Sequence, residues 1–238
     1  MKNQYVGDIS DFHKYSLLRT LSGDGKIRTG VCWMLTPNDT RNDGQFIDYL
    51  NAPQTWRVYS PEVFDGLAEC VREPDGRNVE RIKAAGILPN TLFYSDVLSD
   101  TAIERHRYFE GLQSQFSDRD LIFFDPDNGL EIKSRPMGRT NSNKFLYWPE
   151  LVNTYVAGHS VLVYQHFIRE QRDLFIGRIA AEVLKRTGAS EVLTFRTSKV
   201  SFFLASQPKH MEHFERQAAQ IAQIWEKHIQ IGRHQAAA

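Results

Sequence analysis

The residues best suited to chemistry lie in one stretch, residues 121–131, which reads LIFFDPDNGLE. Four large apolar residues in a row predict a strand that is buried on both faces. Pro126 ends that strand because it lacks an N–H group. The carboxylates of Asp125 and Asp127 and the amide of Asn128 therefore come at the carboxyl end of a central strand. Open α/β sheets bind ligands at that edge, although these residue types also form ordinary turns.

Acids in this pattern could serve two chemistries. One carboxylate could orient a water molecule or face a positive charge, which we assign to Asp127, while Asp125 supports the turn through neighbouring backbone N–H groups. Pro126-Asp127 with Glu131 and Lys133 also imitates the metal signature of restriction nucleases. In those nucleases the two parts of the signature lie on separate strands of a hairpin. Here only three residues separate Asp127 from Glu131, which is too few for such a hairpin. Since no other cluster has metal-ligand spacing, we expect no metal.

The elements around this stretch alternate between strands and helices. The predicted parallel strands cover residues 30–35, 91–94, 121–125 and 160–164. Alternation predicts a Rossmann-like three-layer α/β sandwich whose sheet is mostly parallel, with helices on both faces. The runs 191–196 and 199–204 predict a closing antiparallel hairpin, and apolar spacing predicts a last helix over 209–229. No linker interrupts the pattern, so we expect a single domain over 1–238.

Further charged residues are expected near the same edge of the sheet. The acids that could join the pocket are Asp8, Asp39, Asp43 and Asp96. His13 and Lys14 fall in the first turn of a helix predicted for residues 11–21, where cations oppose the helix dipole. One interpretation is that His13 or Lys14 binds an anionic partner at the start of this helix. The other is that both are solvated residues on the surface.

One segment, residues 132–149, contains no acid and is the basic part of the chain. Its basic residues are Lys133, Arg135, Arg139 and Lys144. The segment runs into aromatic residues at 145–148, and basic residues beside aromatics suit nucleic acid, through phosphate contacts and base stacking. The alternative is a solvated loop that leads into an ordinary core helix.

Composition limits the remaining classes. Lys+Arg and Asp+Glu both number 29, so the chain as a whole has no electrostatic attraction to nucleic acid or to acidic membranes. Cys32 and Cys70 lack C-x-x-C spacing and are typical of reduced thiols. The chain shows neither a signal peptide nor a run of about 18 apolar residues. We therefore expect a cytoplasmic protein that has no membrane partner.

Two motifs resemble those of a known family. Residues 7–15, GDISDFHKY, resemble the Gly-Asn-x-x-Asp-x-x-Lys-His opening of a bacterial large-subunit ribosomal RNA adenine methyltransferase. The DPDN turn at 125–128 resembles its Asp-Pro-Pro-Tyr turn, which grips a flipped adenine, and Asp96 sits where such enzymes place a cofactor-binding acid. The resemblance implies a class I S-adenosylmethionine methyltransferase fold, whose usual ending is an antiparallel hairpin. The chain also resembles a widespread bacterial family of unassigned function with a Gly-Asp-x-x-Asp-Phe-x-Lys-Tyr start and an Asp-Pro-Asp-Asn-Gly centre.

Departures from this family argue against methylation. The loop after the first strand reads TPND at 36–39, where methyltransferases have a glycine-rich cofactor turn, and Asn128 replaces the aromatic that stacks on the target base. The feature that still resembles this family is an acid-lined pocket that could accept a flipped base. Such a pocket without a cofactor suits hydrolysis of an N-glycosidic bond. We therefore predict a DNA glycosylase that acts on a flipped normal or modified base and needs no cofactor.

In this hypothesis Asp127 faces the water or the cationic sugar. The residues predicted to bind the base are Asn128, Asn38 and His166. Lys14 and the basic residues of segment 132–149 bind phosphates, which offsets the few kcal/mol that base flipping costs. One alternative is an S-adenosylmethionine-dependent adenine methyltransferase with a divergent cofactor loop. The other is a non-catalytic nucleic-acid-binding module on a degenerate methyltransferase fold.

Overall fold

A computed structural model describes residues 1–40, 44–72 and 76–236. The helices in these ranges are α1 Ile9–Leu21, α2 Pro53–Trp56, α3 Pro61–Arg72, α4 Val79–Ala84, α5 Ala102–Gln115, α6 Trp148–Val156, α7 Arg172–Thr187 and α8 Met211–Ile224. The strands are β1 Thr29–Cys32, β2 Thr91–Tyr94, β3 Leu121–Phe124, β4 Gly129–Leu130, β5 Phe145–Leu146, β6 Ser160–His166, β7 Glu191–Arg196, β8 Val200–Ala205 and β9 Gln230–Gln235.

Seven of the described strands form one sheet in the order β2-β1-β3-β6-β8-β7-β9. The first four of these are parallel to one another, β8 runs antiparallel to β6 and β7, and β9 runs antiparallel to β7. Helices cover both faces of the sheet. The predicted fold, a Rossmann-like three-layer sandwich whose mostly parallel sheet ends in an antiparallel hairpin, is confirmed.

Strand β3 shows how the two faces are filled. Successive side chains of a strand point to opposite faces. Leu121 and Phe123 accordingly pack in the cluster with α1, α3 and α8, whereas Ile122 and Phe124 pack in the cluster with α5, α6 and α7. All four side chains are at most 1% exposed, as expected for a central strand buried on both faces. This rigid strand carries the acids at its carboxyl end.

The turn between β7 and β8 depends on Thr197. Its N–H donates to Val200 O at 2.8 Å, and its Oγ1 accepts from the N–H groups of Lys199 at 3.2 Å and Val200 at 3.1 Å. The threonine hydroxyl thus supplies the hydrogen bonds that a glycine-containing turn would obtain from the backbone. The exposed Lys199 is held at the tip of a short, fixed hairpin.

The last helix has different limits in the structure from those predicted. The last helix ends at Ile224, and residues 230–235 form β9, an edge strand whose mainly polar sequence pairs through its backbone with β7. Helix α5 starts at Ala102 with Thr101 as its N-cap, and the Ser99 hydroxyl accepts a hydrogen bond from Thr101 N. In the described part of the chain, no helix is both long and apolar enough to cross a membrane.

Candidate functional site

A cavity of about 560 Å³ opens at the carboxyl ends of β3 and β6, beside the first turn of α1. The residues predicted for a site that line this cavity are Asp8, Lys14, Asp125, Asp127, Asn128, Lys144 and His166. The fold thus brings residues from distant parts of the chain to one edge of the sheet, where open α/β folds bind ligands. The volume lies within the ~300–1,000 Å³ that small-molecule pockets occupy.

A buried triad of charges forms the floor of the cavity. Lys14 Nζ lies 2.6 Å from Asp11 Oδ1 and 2.6 Å from Asp125 Oδ2, and all three residues are at most 3% exposed. Burial alone would lower the pKa of Lys14, but the two carboxylates raise it well above its usual value. Burial raises the pKa of Asp11 to about 6, although Lys14 opposes that rise.

The observed partners of the Asp125 side chain differ from those predicted. Neighbouring backbone N–H groups were expected to hold its carboxylate, and this prediction is wrong because Lys14 Nζ binds it from helix α1. The backbone of Asp125 is held separately, since its N–H donates to Cys32 O at 3.0 Å. The acid therefore joins the end of β3 to the start of α1 and to the end of β1.

Asp127 is engaged by other groups. Its Oδ1 lies 2.6 Å from the amino group of Met1, and its Oδ2 accepts a 2.8 Å hydrogen bond from Thr36 Oγ1. Burial alone would raise the pKa of Asp127, but the Met1 ammonium and the Thr36 hydroxyl hold it below its usual value. Asp127 is therefore an ionised carboxylate on the cavity wall, with its side chain only 5% exposed.

Helix α1 begins at Ile9, two residues before its predicted start, so His13 and Lys14 lie in its second turn. They do not form the solvated surface pair that was one of the two interpretations. Lys14 and His13 are 2% and 8% exposed. His13 packs among the rings of Trp56, Trp225 and His228, with centroid distances of 5.6–6.2 Å. Burial lowers the pKa of His13 to about 4, so its imidazole is neutral at neutral pH. The charge of Lys14 is balanced by acids of the protein itself.

The turn after β3 is fixed by Gln165, the residue before the predicted base-binding His166. Gln165 Oε1 accepts from Leu130 N at 2.7 Å, and its Nε2 donates to Asn128 O at 3.2 Å. Gly129 has a φ of 109°, and a Cβ there would lie 2.4 Å from the Gln165 side chain. Glycine is therefore required at this position, and the side chain of Asn128 is left exposed at the cavity.

The loop that contains segment 132–149 meets the site only at its end. Asn128 N donates to Lys144 O at 2.9 Å, which fixes the lysine beside the acid turn. Asp100 accepts from the N–H groups of Asn141 and Asn143 at 2.8 Å each. Arg105 donates to Phe145 O at 2.7 Å, so this end of the loop is held on both sides.

The other predicted residues lie outside the described lining of the cavity. Those that are exposed on the loop are Lys133, Arg135 and Arg139. Asp96 is exposed after β2, which β1 separates from β3 in the sheet order. Asn38 Oδ1 accepts from Gln4 N at 3.2 Å, and Asp39 forms an ion pair with Lys2. Asp43 lies outside the described residues.

Several lining residues were not predicted from the sequence. They are Met1, Lys2, Tyr5, Ser10, Asp11, Gly44, Phe46, Pro126, Tyr164, Phe167 and Lys199. A signal was available for Asp11, because a carboxylate three positions before Lys14 on a helix lies within reach of its amine. Phe46 and Lys199 gave no such signal, since their meeting depends on tertiary structure. Among residues 1–40, 44–72 and 76–236, no group of three or more His, Cys, Asp or Glu side chains could hold a metal ion.

Comparisons with known proteins add little to this geometry. No family model and no curated protein matches the chain. One similar solved structure is that of protein LPL1258 from Legionella pneumophila str. Philadelphia 1, of the family model DUF519. It has 8% sequence identity and a TM-score of 0.46, and the match covers 97% of this chain and 98% of that one.

Proposed function

We propose that the cavity is the active site of a nucleic-acid base-directed hydrolase that cleaves the N-glycosidic bond of an unstacked base in DNA. The observation that carries the proposal is the convergence of Asp11, Asp125 and Asp127 with the exposed amide of Asn128 in one cavity of about 560 Å³. In such a reaction carboxylates activate the water or stabilise the cationic sugar, and amides form hydrogen bonds with the edge of the flipped base.

The reaction adds one water molecule across the bond between sugar C1′ and a base nitrogen. The C1′–N bond breaks and its electron pair stays on the base, while the water oxygen forms the new bond to C1′. One water proton passes to a carboxylate of the site and is then released to solvent, and the departing base takes up one proton from solvent, so no proton is gained or lost overall. Positive charge develops on the sugar as the bond breaks, so a carboxylate that stays ionised stabilises that stage.

The acids of the cavity support a division of roles. The pKa of Asp127 lies below its usual value, so Asp127 stays ionised and faces the cationic sugar or its water. Burial raises the pKa of Asp11 to about 6, so Asp11 can exchange a proton near neutral pH. Acids whose pKa values are shifted in opposite directions are typical of sites that separate acid and base functions.

Adenine methylation is the second candidate, and one contact favours it. The two motifs that resemble the ribosomal RNA methyltransferase, residues 7–15 and the turn at 125–128, meet through the 2.6 Å contact between Lys14 and Asp125. The antiparallel β8 beside β6 is also the ending that the resemblance implies. The loop after β1 supports hydrolysis instead, since it has no glycine at residues 33–40.

Mass spectrometry of reaction products tests the proposal. The purified protein is incubated with single-stranded and duplex oligonucleotides that contain the four normal bases, uracil or N6-methyladenine, with and without S-adenosylmethionine. A free base with a matching abasic strand supports hydrolysis. A gain of one methyl mass that requires S-adenosylmethionine establishes the second candidate and overturns the first. Calorimetry with S-adenosylmethionine is the companion measurement, in which we expect no micromolar affinity.

A further inference from the structure

The mouth of the cavity differs from its floor in charge. The acids Asp8, Asp11 and Asp125 are each at most 5% exposed. The side chain of Asp127, which also lines the cavity, is likewise only 5% exposed, and the Met1 amino group lies 2.6 Å from it. The mouth also holds lysine side chains and exposed rings, so the site has an acidic, internally paired floor below a basic and aromatic mouth.

Lys199 and Phe46 contact each other at this mouth. Phe46 is 62% exposed, and Lys199 Nζ lies 3.2 Å from the centre of its ring. Both are held by their backbones. Phe46 N donates to Asp8 Oδ2 at 3.0 Å, and Lys199 N donates to Thr197 Oγ1 at 3.2 Å. An exposed cation–π contact is weak, so both groups can be exchanged for a ligand.

Lys144 is the second cation of the mouth. It is half-buried, and its carbonyl accepts from Asn128 N at 2.9 Å, which places it beside the turn that carries the acids. Lys144 and Lys199 belong to separate elements that both line the cavity. A mononucleotide seated in the cavity offers one phosphate position, whereas a strand offers phosphates on both sides of the seated base.

We infer that the mouth, defined by Lys144, Lys199 and Phe46, binds an unpaired DNA strand, with the lysines on backbone phosphates and Phe46 stacked on a base beside the seated one. The inference rests on the proposed function, since it supplies the strand from which the base is presented. Charge complementarity supports this occupant, because lysines at a mouth attract phosphates, and an exposed ring offers a stacking surface that any unpaired base can use.

Fluorescence anisotropy with a labelled 15-nucleotide oligothymidylate tests the inference over a series of salt concentrations. We expect Lys144→Gln with Lys199→Gln to weaken binding about tenfold or more at ~0.1 M salt, and to reduce the log–log salt slope by roughly 1.4, about 0.7 for each lost phosphate contact. The matched control is Lys185→Gln with Lys209→Gln. It removes the same charge from exposed positions outside the described lining of the cavity, so the slope should not change.

A third variant tests the stacking. Phe46→Leu keeps an apolar side chain but removes the ring, and we expect binding about tenfold weaker with an unchanged salt slope. An equal loss of slope in the control pair, or unaltered binding by the mouth variants, would contradict the inference. Thymidine monophosphate that competes as well as the oligomer at equal nucleotide concentration would contradict it too.

The same variants separate this inference from the proposed hydrolysis. If the mouth variants lose binding as expected but the unaltered protein releases no base from any oligonucleotide, the strand site stands and the hydrolysis fails. If the unaltered protein releases base while the mouth variants bind the strand with full affinity and slope, the hydrolysis stands and the strand site is wrong.

Discussion

Lys14 Nζ lies 2.6 Å from Asp125 Oδ2, although 111 positions of the chain separate the two residues. The contact fixes the second turn of α1 against the carboxyl end of β3, which is the edge where the cavity opens. Because Asp11 binds the same amine at 2.6 Å, the lysine compensates two carboxylates in a space that is almost closed to water.

Replacing Lys14 by methionine should destabilise the protein strongly. Lys14→Met keeps much of the side-chain length but leaves Asp11 and Asp125 buried without their cation. Removing one partner of a buried ion pair costs on the order of 3–5 kcal/mol, which urea unfolding would measure. As a control, Arg57→Gln breaks the exposed pair with Asp65 and should hardly change the free energy of unfolding, because solvent screens an exposed ion pair. Similar losses in both variants would contradict the role given to Lys14.

The fold could be predicted because its strands carry strong local signals. The run LIFF at 121–124 is apolar at every position and lies in the sheet centre, and the β-rich runs of β7 and β8 form the expected hairpin. Strand β9 could not be predicted in this way. Its sequence, QIGRHQ, has little apolar content because the strand lies at the sheet edge and pairs with β7 through its backbone.

The site could be predicted only in part. The position of Asp125, Asp127 and Asn128 follows from strand termination, which is a local effect. The pairing of Asp125 with Lys14 depends on where α1 packs, which the local sequence does not encode. Asp96 also follows a strand, but that strand, β2, lies at one edge of the sheet, and Asp96 lies outside the described cavity lining.

His13 should make the protein sensitive to acid. Its pKa is about 4 in the folded protein, against an ordinary value of 6.5, because burial disfavours the charged ring. The unfolded chain therefore binds more protons between these values. The resulting stability, on the order of 3 kcal/mol, is complete above pH 6.5 and is lost as pH falls through 4. Urea unfolding at several pH values should show a smaller acid loss in His13→Phe, whereas His106→Gln, at an exposed position, should behave like the unaltered protein.

Asp11 should act in the opposite direction. Its pKa is about 6 in the folded protein and about 3.8 in its ordinary state, so the folded protein binds more protons between these values. The associated stability is present below pH 3.8 and is lost as pH rises through 6. The free energy of unfolding of the unaltered protein minus that of Asp11→Asn should therefore decrease from pH 4 to pH 7, by on the order of 3 kcal/mol. The decrease comes from the unaltered protein, because the variant has no carboxyl group to ionise at this position. A constant difference would contradict the raised pKa.

Asp127→Asn should lower base release strongly in a protein that still folds. The amide keeps the shape of the side chain but removes the charge that the proposed reaction places near the cationic sugar. Base release should fall by on the order of a hundredfold, as for loss of a positioned general base or stabilising charge. Since Asp127 also binds the Met1 ammonium and Thr36 Oγ1, we expect a loss of stability on the order of 1–3 kcal/mol, so turnover must be measured well below the melting temperature.

Two control variants complete this test. Thr36→Val removes one hydrogen bond to Asp127 and retains its charge, so stability should fall slightly while most of the activity remains. Asp120→Asn removes a paired carboxylate just before the amino end of β3, at the opposite edge of the sheet from the cavity, and should leave base release unchanged. If Asp127→Asn is folded and retains full base release, Asp127 is not the acid that serves the sugar. The same measurement on Asp11→Asn would then show whether Asp11 has that role.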